Sequence, residues 1–173
     1  MNRIGIYGGA FDPIHNDHIR AIMTALLSGQ FDAIWVMPCW DHAFGKKMQP
    51  YGVRLLLADL AIHSIFNTQM VSVSDLERSV QSKYTIDLAE YLRRQDPANQ
   101  HTFIIGQDNW DIRESWHRWD ELSKLAGFYV VPRTPLSSTE IRGRLAKEED
   151  CQGLVPPVSL ASILKHGLYK VSP

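Results

Sequence analysis

Short apolar runs alternate along the chain with longer stretches in which apolar positions recur every three or four residues. Ile4-Gly5-Ile6-Tyr7 is the first run, ended by the turn signal Gly8-Gly9, and reads as a strand. Asp17–Ser28 then carries Ile19, Ile22, Met23, Leu26 and Leu27 at helical spacing, with Gly29 behind it. Ala33–Met37 is a second strand-like run, stopped by Pro38, and residues 39–50 have no period and read as a loop. The same reading predicts helices over Gly52–Ser64, Thr85–Arg94 and Trp116–Leu125, and strands over Met70–Val73, His101–Ile105 and Phe128–Val131. A short helix is expected after Ser137-Ser138 and a last one near Ser159–Lys165. No repeat, low-complexity tract or Gly/Ser-rich linker divides the chain, so one domain over residues 1–173 is expected. Strands alternating with helices predict an α/β, Rossmann-like, doubly wound fold, a mostly parallel sheet with helices on both faces. Ligands in such sheets bind at the carboxyl ends of the strands, so the chemistry is expected at strand-to-helix junctions.

Charge narrows the partners. Eighteen Lys and Arg against nineteen Asp and Glu leave a net charge of −1, which gives no global basic field for nucleic acid. Any anion must therefore be held by a local site. The longest apolar stretch, around Leu55–Ile62, is interrupted by Asp59 and falls far short of the ~20 residues that span a bilayer, so no membrane partner is expected. The chain opens directly into Arg3-Ile4-Gly5-Ile6-Tyr7 without a secretory leader, and Cys39 and Cys151 stand far apart with no metal-ligand spacing. A reducing cytoplasm is the expected setting.

The first junction, Gly8-Gly9-Ala10-Phe11-Asp12-Pro13-Ile14-His15-Asn16-Asp17-His18, has chemistry of its own. Its glycines allow close backbone approach, and the helix start offers free N–H groups and a positive dipole end to phosphate. His15 and His18, three apart, can face one anion and donate to phosphate oxygens as their charge grows. Each feature alone is more ordinarily a Gly-rich turn with surface histidines. A zinc pair is conceivable at that spacing, but no Cys, Asp or Glu completes a recognisable ligand set. The string is neither the G-x-G-x-x-G fingerprint nor the G-x-x-x-x-G-K-[ST] phosphate loop. A second segment, Ser137-Ser138-Thr139-Glu140-Ile141-Arg142, puts hydroxyls at a helix start and an Arg one turn on, which suits a polyphosphate. Taken alone it is a capping arrangement.

Together the two segments resemble the nucleotidyltransferase superfamily signatures G-G-x-F-[DN]-P-x-[HT]-x-x-H and S-S-T-x-I-R. Within that superfamily the chain is most similar, over nearly its whole length, to the nicotinate/nicotinamide mononucleotide adenylyltransferases. Gly106-Gln107-Asp108 followed by Trp116-His117-Arg118-Trp119 resembles the family's G-x-D…W segment, and Tyr84-Thr85-Ile86-Asp87 its Y-T-I-D helix start. Val155-Pro156-Pro157 through His166-Gly167-Leu168-Tyr169 looks like the bacterial C-terminal segment, while Gly45-Lys46-Lys47 is closer to the nicotinamide-nucleotide branch.

The resemblance implies transfer of AMP from ATP to nicotinate or nicotinamide mononucleotide, with Mg²⁺ held through the ATP phosphates rather than by a protein ligand set. It implies that His15, His18 and Arg142 are catalytic. Gly9, Ala10, His18, Gly106, Asp108, Ser138, Thr139 and Arg142 would bind ATP, and Phe11, Lys46, Lys47, Thr85 and Trp116 the mononucleotide. Lys46 and Lys47 would act as point charges on phosphate, and Trp116 would stack on the pyridine, although Trp pairs at helical spacing are usually core. Two positions depart from the family pattern. Ala10 lacks a hydroxyl that many members carry, and Asp17 replaces the common Gly with a carboxylate, expected to point away from phosphate where the helix dipole favours it. Cys39, His42, His63, His101, His117 and His166 receive no role. Two alternatives stay open: another adenylyl- or cytidylyltransferase of the superfamily, such as a phosphopantetheine adenylyltransferase-like enzyme, and a non-catalytic nucleotide-binding regulatory domain. Acid or amide preference and homo-oligomer formation are left open by the sequence.

Overall fold

A computed structural model describes residues 1–41, 45 and 47–170. The elements run β1 (Arg3–Gly9), α1 (Asn16–Leu27), β2 (Ala33–Pro38), α2 (Tyr51–Ile65), β3 (Val71–Val73), α3 (Leu76–Val80), α4 (Thr85–Gln95), β4 (Gln100–Gly106) and α5 (Gln107–Asp111). A 3₁₀ turn (Arg113–Ser115), α6 (Trp119–Leu125), β5 (Gly127–Val131), α7 (Ser138–Ala146) and α8 (Pro157–Lys165) follow. The five strands form one sheet in the order β3-β2-β1-β4-β5. Every neighbouring pair is parallel. The predicted doubly wound α/β architecture is therefore the observed one, with β1 at its centre.

Alternation along the strands sends successive side chains to opposite layers. On β1 and β4, Tyr7 and Ile104 join a cluster with Ile19 and Ile22 of α1, Leu57, Ala61 and Ile62 of α2, Ile141 of α7 and Ile163 of α8. Ile6 and Phe103 point the other way, into Ile86, Leu88 and Leu92 of α4 and Leu122 of α6. Buried on both faces, the strands read as near-continuous apolar runs, as parallel strands do.

Three short pieces carry no period long enough to predict: α3, α5 and the 3₁₀ turn. The helix predicted from Trp116 begins only at Trp119. Arg118 takes a left-handed conformation (φ 54°) that precludes a helical turn across it, and Trp116 is extended (φ −73°, ψ 144°). Trp116 and Trp119 are thus not stacked one turn apart on a helix. Among the described residues no helix is long and apolar enough to cross a membrane.

Strand order reverses on either side of β1: the chain moves outward through β2 and β3, then returns to place β4 on its other edge. The carboxyl ends of β1 and β4 consequently diverge and leave a crevice between them, where such folds bind ligands. Gly8-Gly9 ends one strand there, and Gly106 the other.

Candidate active site

A cavity of about 960 Å³ opens at this crevice. Its floor is the end of β1, and one wall is the start of α1 with the segment leading into α7. The opposite wall is the end of β4, the start of α4 and the Ser115–His117 stretch. The two motifs at opposite ends of the sequence meet in it.

At the β1–α1 turn, a Cβ on Gly9 would press on the Phe11 ring at 3.1 Å, tighter than an ordinary contact. Phe11 folds back in a left-handed conformation (φ 46°) and is only 1% exposed. It packs edge-on against His18, with ring centroids 4.9 Å apart. Phe11, expected at the mononucleotide, has its ring in the core beneath the histidines and not on the cavity surface. His15 precedes α1 as its N-cap, and its backbone N–H donates to Nδ1 of His18 at 3.1 Å. That bond fixes the tautomer. A neutral His18 whose Nδ1 accepts must carry its proton on Nε2, which is then a donor.

The two imidazoles stack at 3.6 Å between centroids. Burial lowers the pKa of His15 to about 4, with Asp17 opposing the shift. Burial, and then the neighbouring His15, hold His18 well below the usual histidine range. Both rings line the cavity as neutral hydrogen-bonding groups, not as cations. Nδ1 of His15 is buried and makes no hydrogen bond among the described residues.

Asp17 lies in the first turn of α1 and, although expected to point away from phosphate, lines the cavity together with Arg20. It is 3% exposed, pairs with Arg20 and accepts the Leu136 N–H at 3.1 Å. The extra carboxylate thus ties α1 to the segment before α7, and its charge is engaged by Arg20.

The second motif is joined to the first by its own side chains. Ser137 caps α7 by accepting the Glu140 N–H, Ser138 Oγ donates to the Pro13 carbonyl at 3.0 Å, and Arg142 donates to the Asp12 carbonyl at 2.8 Å. Ser138 and Thr139 line the cavity, as do Gly9 and Ala10. Arg142 instead lies against Asp12 and Thr139 Oγ1, behind the wall. Asp12 is a hub that the sequence did not flag. It is 1% exposed, and Oδ1 accepts from the Tyr169 hydroxyl at 2.9 Å and the Gln49 N–H at 3.2 Å.

Across the crevice, Gly106 leaves space for the Asp108 carboxylate, 2.6 Å from where a Cβ would stand, and both line the cavity. Thr85 begins α4 beside Tyr84, whose ring stacks on His117 at 4.2 Å. Trp116 is half-buried, its edges against Trp119 and Phe128, and it also faces the cavity. It is anchored by the core and available to a ligand at once. His117, given no role from sequence, belongs to this wall. Lys47 is exposed and Lys46 lies outside the described residues, as does His42. No three His, Cys, Asp or Glu cluster as metal ligands among the described residues.

Comparison with known proteins agrees with this geometry. A model of the cytidylyltransferase-like family matches residues 6–145, from the first strand to the second motif. A Bacillus subtilis (strain 168) protein named nicotinate-nucleotide adenylyltransferase is 32% identical, covering 98% of this chain and 100% of its own. An Anaeromyxobacter sp. (strain K) protein named a probable nicotinate-nucleotide adenylyltransferase is also 32% identical, over 96% of each chain. The chain belongs to the nicotinate-nucleotide adenylyltransferase branch of the cytidylyltransferase-like family. A solved structure from Vibrio parahaemolyticus, named a putative nicotinate-nucleotide adenylyltransferase, superposes with a TM-score of 0.86 at 27% identity, over 99% of this chain and 98% of its own. The likeness to that structure extends through the C-terminal segment that delivers Tyr169 to Asp12.

Proposed function

We propose that the protein transfers AMP from ATP to nicotinate mononucleotide, forming the pyridine dinucleotide and pyrophosphate in NAD biosynthesis. One observation carries this reading. A single cavity holds a phosphate-type end, built from Gly8–His18 and Ser137–Thr139, and an aromatic end, built from Tyr84, Thr85, Trp116 and His117. The names of the relatives supply the acid form of the acceptor.

The mononucleotide phosphate is already an anion, so it needs no general base. One of its oxygens attacks the α-phosphorus of ATP in line, the bond to the bridging oxygen breaks, and the electron pair leaves on pyrophosphate. Catalysis then consists of positioning and of stabilising charge on the transferring group. His18 Nε2–H is the donor for the α-phosphate. His15, with Ser138, Thr139 and the start of α7, serves the leaving phosphates, and Gly9 and Ala10 present backbone to them. Arg142 serves that end by holding Asp12, and reaches phosphate only by leaving it. Gly106 and Asp108 suit ribose hydroxyls, and Trp116 offers a flat face to the pyridine. Mg²⁺ enters as part of the ATP substrate.

The test is pyrophosphate release with ATP and a panel of acceptors. Nicotinate mononucleotide should support turnover, and phosphopantetheine should not. Turnover only with phosphopantetheine would move the protein to another branch, and no pyrophosphate release with any acceptor would favour a binding domain.

A further inference from the structure

Arg54, on the second turn of α2, is 1% exposed and is absent from the mechanism above. Its guanidinium spends its donors on backbone carbonyls of three separate segments: Ala10 at 2.8 Å, Cys39 at 2.8 Å and Gln49 at 3.0 Å. Ala10 follows β1 and Cys39 follows β2, and both line the cavity, so the guanidinium lies directly behind the wall at its phosphate end. Gln49 leads into α2 and is also the residue whose N–H is held by Asp12. Among the described residues no carboxylate stands within ion-pair distance of Arg54. Tyr51 covers it with its ring, 5.5 Å from centroid to guanidinium.

A buried cation is costly unless its charge is answered, and carbonyls answer it only in part. Glu77 lines the cavity, makes no ion pair with Arg54, and feels its charge, which opposes the rise that burial gives the Glu77 carboxyl. It accepts the Trp40 N–H at 3.1 Å, and burial pushes its carboxyl up to about 7. A purely structural staple would not require a full charge here, since neutral amides also donate to carbonyls. A charge placed behind a phosphate-facing wall has a second use.

We propose that Arg54 is a positioning residue for the transfer reaction: it sets the Ala10–Cys39 backbone against the substrate phosphates, which complete the neutralisation of its buried charge. This rests on the reading of the cavity as a nucleotidyl-transfer site.

The test uses the full chain with Arg54→Lys, which keeps the charge, and Arg54→Gln, which keeps donors without it. Circular dichroism and melting give the folded fraction, steady-state kinetics give kcat and KM, and calorimetric titration with inorganic pyrophosphate reads the anion end without turnover. Folded Arg54→Lys is expected to lose about tenfold in kcat, with mononucleotide KM within threefold. Pyrophosphate affinity should fall by about threefold in Arg54→Lys and by tenfold or more in Arg54→Gln. Equal pyrophosphate affinity in both variants and the parent, kcat within twofold of the parent, or losses that merely track the folded fraction would overturn the proposal. So would failure of both variants to fold, which would make Arg54 a stability residue. A parent protein that binds pyrophosphate yet forms no dinucleotide would sink the activity reading alone, leaving Arg54 to be judged on the binding series. A parent that binds no pyrophosphate would overturn both.

Discussion

Two stacked imidazoles at a helix start would repel strongly as cations, so their neutrality is a condition of the site and not an incidental property. Because His18 Nδ1 is occupied by the His15 N–H, its Nε2–H is oriented before substrate arrives, which is what makes a donor effective in the transition state. His18→Ala should lower kcat by about 10²–10³, the scale of losing one such donor, while the mononucleotide KM changes far less. Steady-state kinetics with near-parent kcat would remove His18 from the reaction. His15 makes a second prediction, for stability against pH. Its folded pKa, about 4, lies below the ordinary 6.5, so between those values the unfolded chain binds the extra proton. Stability from this group is therefore complete above pH 6.5 and is lost as pH falls toward 4, by on the order of 3 kcal/mol. Urea unfolding of the parent and His15→Gln at pH 7 and pH 4.5 measures this. The parent should lose stability relative to the variant in acid, and a constant difference would show that His15 is not depressed.

At the scale of elements, the site depends on where helices fail to start. The left-handed Arg118 delays α6 by a full turn relative to the apolar pattern, and its guanidinium is held in that geometry by Glu90 and Glu121 at 2.7 and 2.6 Å. Trp116 is thereby left in extended backbone, where its indole meets the core at the edges and the cavity with part of its surface. If that surface stacks on the pyridine, Trp116→Ala should weaken mononucleotide binding roughly tenfold, from a stacking loss of about 0.5–1.5 kcal/mol plus lost area. ATP affinity should be nearly unchanged. Calorimetric titration referred to the folded fraction checks this, and preserved mononucleotide affinity alongside a sharply lowered Tm would return Trp116 to the core alone. The start of α7 shows the opposite case, a helix end placed where its sequence says. Ser137 caps it, and the next hydroxyl, on Ser138, is free to bind the turn after β1.

At the scale of the whole molecule, the sheet order puts both strand-end glycine turns on one edge, and α7 closes that edge from the far end of the chain. A ligand bridging the crevice should therefore stabilise the molecule through contacts remote in sequence. Substrate at a hundred times its Kd adds about 2.7 kcal/mol, which for a chain of this length raises Tm by roughly 5–11 °C. Hydrogen exchange should slow at the carboxyl edge, around Gly8–His18, residues 106–111 and residues 137–142. Slowing at the amino edge, near Arg3 and Gln100, would place the ligand elsewhere.

The division between what the chain spells out and what folding adds follows the range of the forces involved. Strands, long helices, the order of layers and both motifs are written in local periodicity and turn chemistry, so Ile4–Tyr7, Thr85–Arg94 or Gly8–His18 can be read without knowing their neighbours. The same holds for Asp17, whose place in the first turn of α1 already favours its charge. Other features exist only once distant residues meet. Phe11 turns its ring into the core because Gly9 lets it fold back, and His117 gains a place because Tyr84 lies beneath it. Arg142 turns to the Asp12 carbonyl across 130 residues, and Arg54 binds carbonyls that no pattern marks. Backbone carbonyls carry no sequence signature, and desolvation depends on everything that surrounds a group. Sequence therefore determined the scaffold and the chemical inventory, while the tertiary structure decided which charges are buried, which protons are held, and where each donor points.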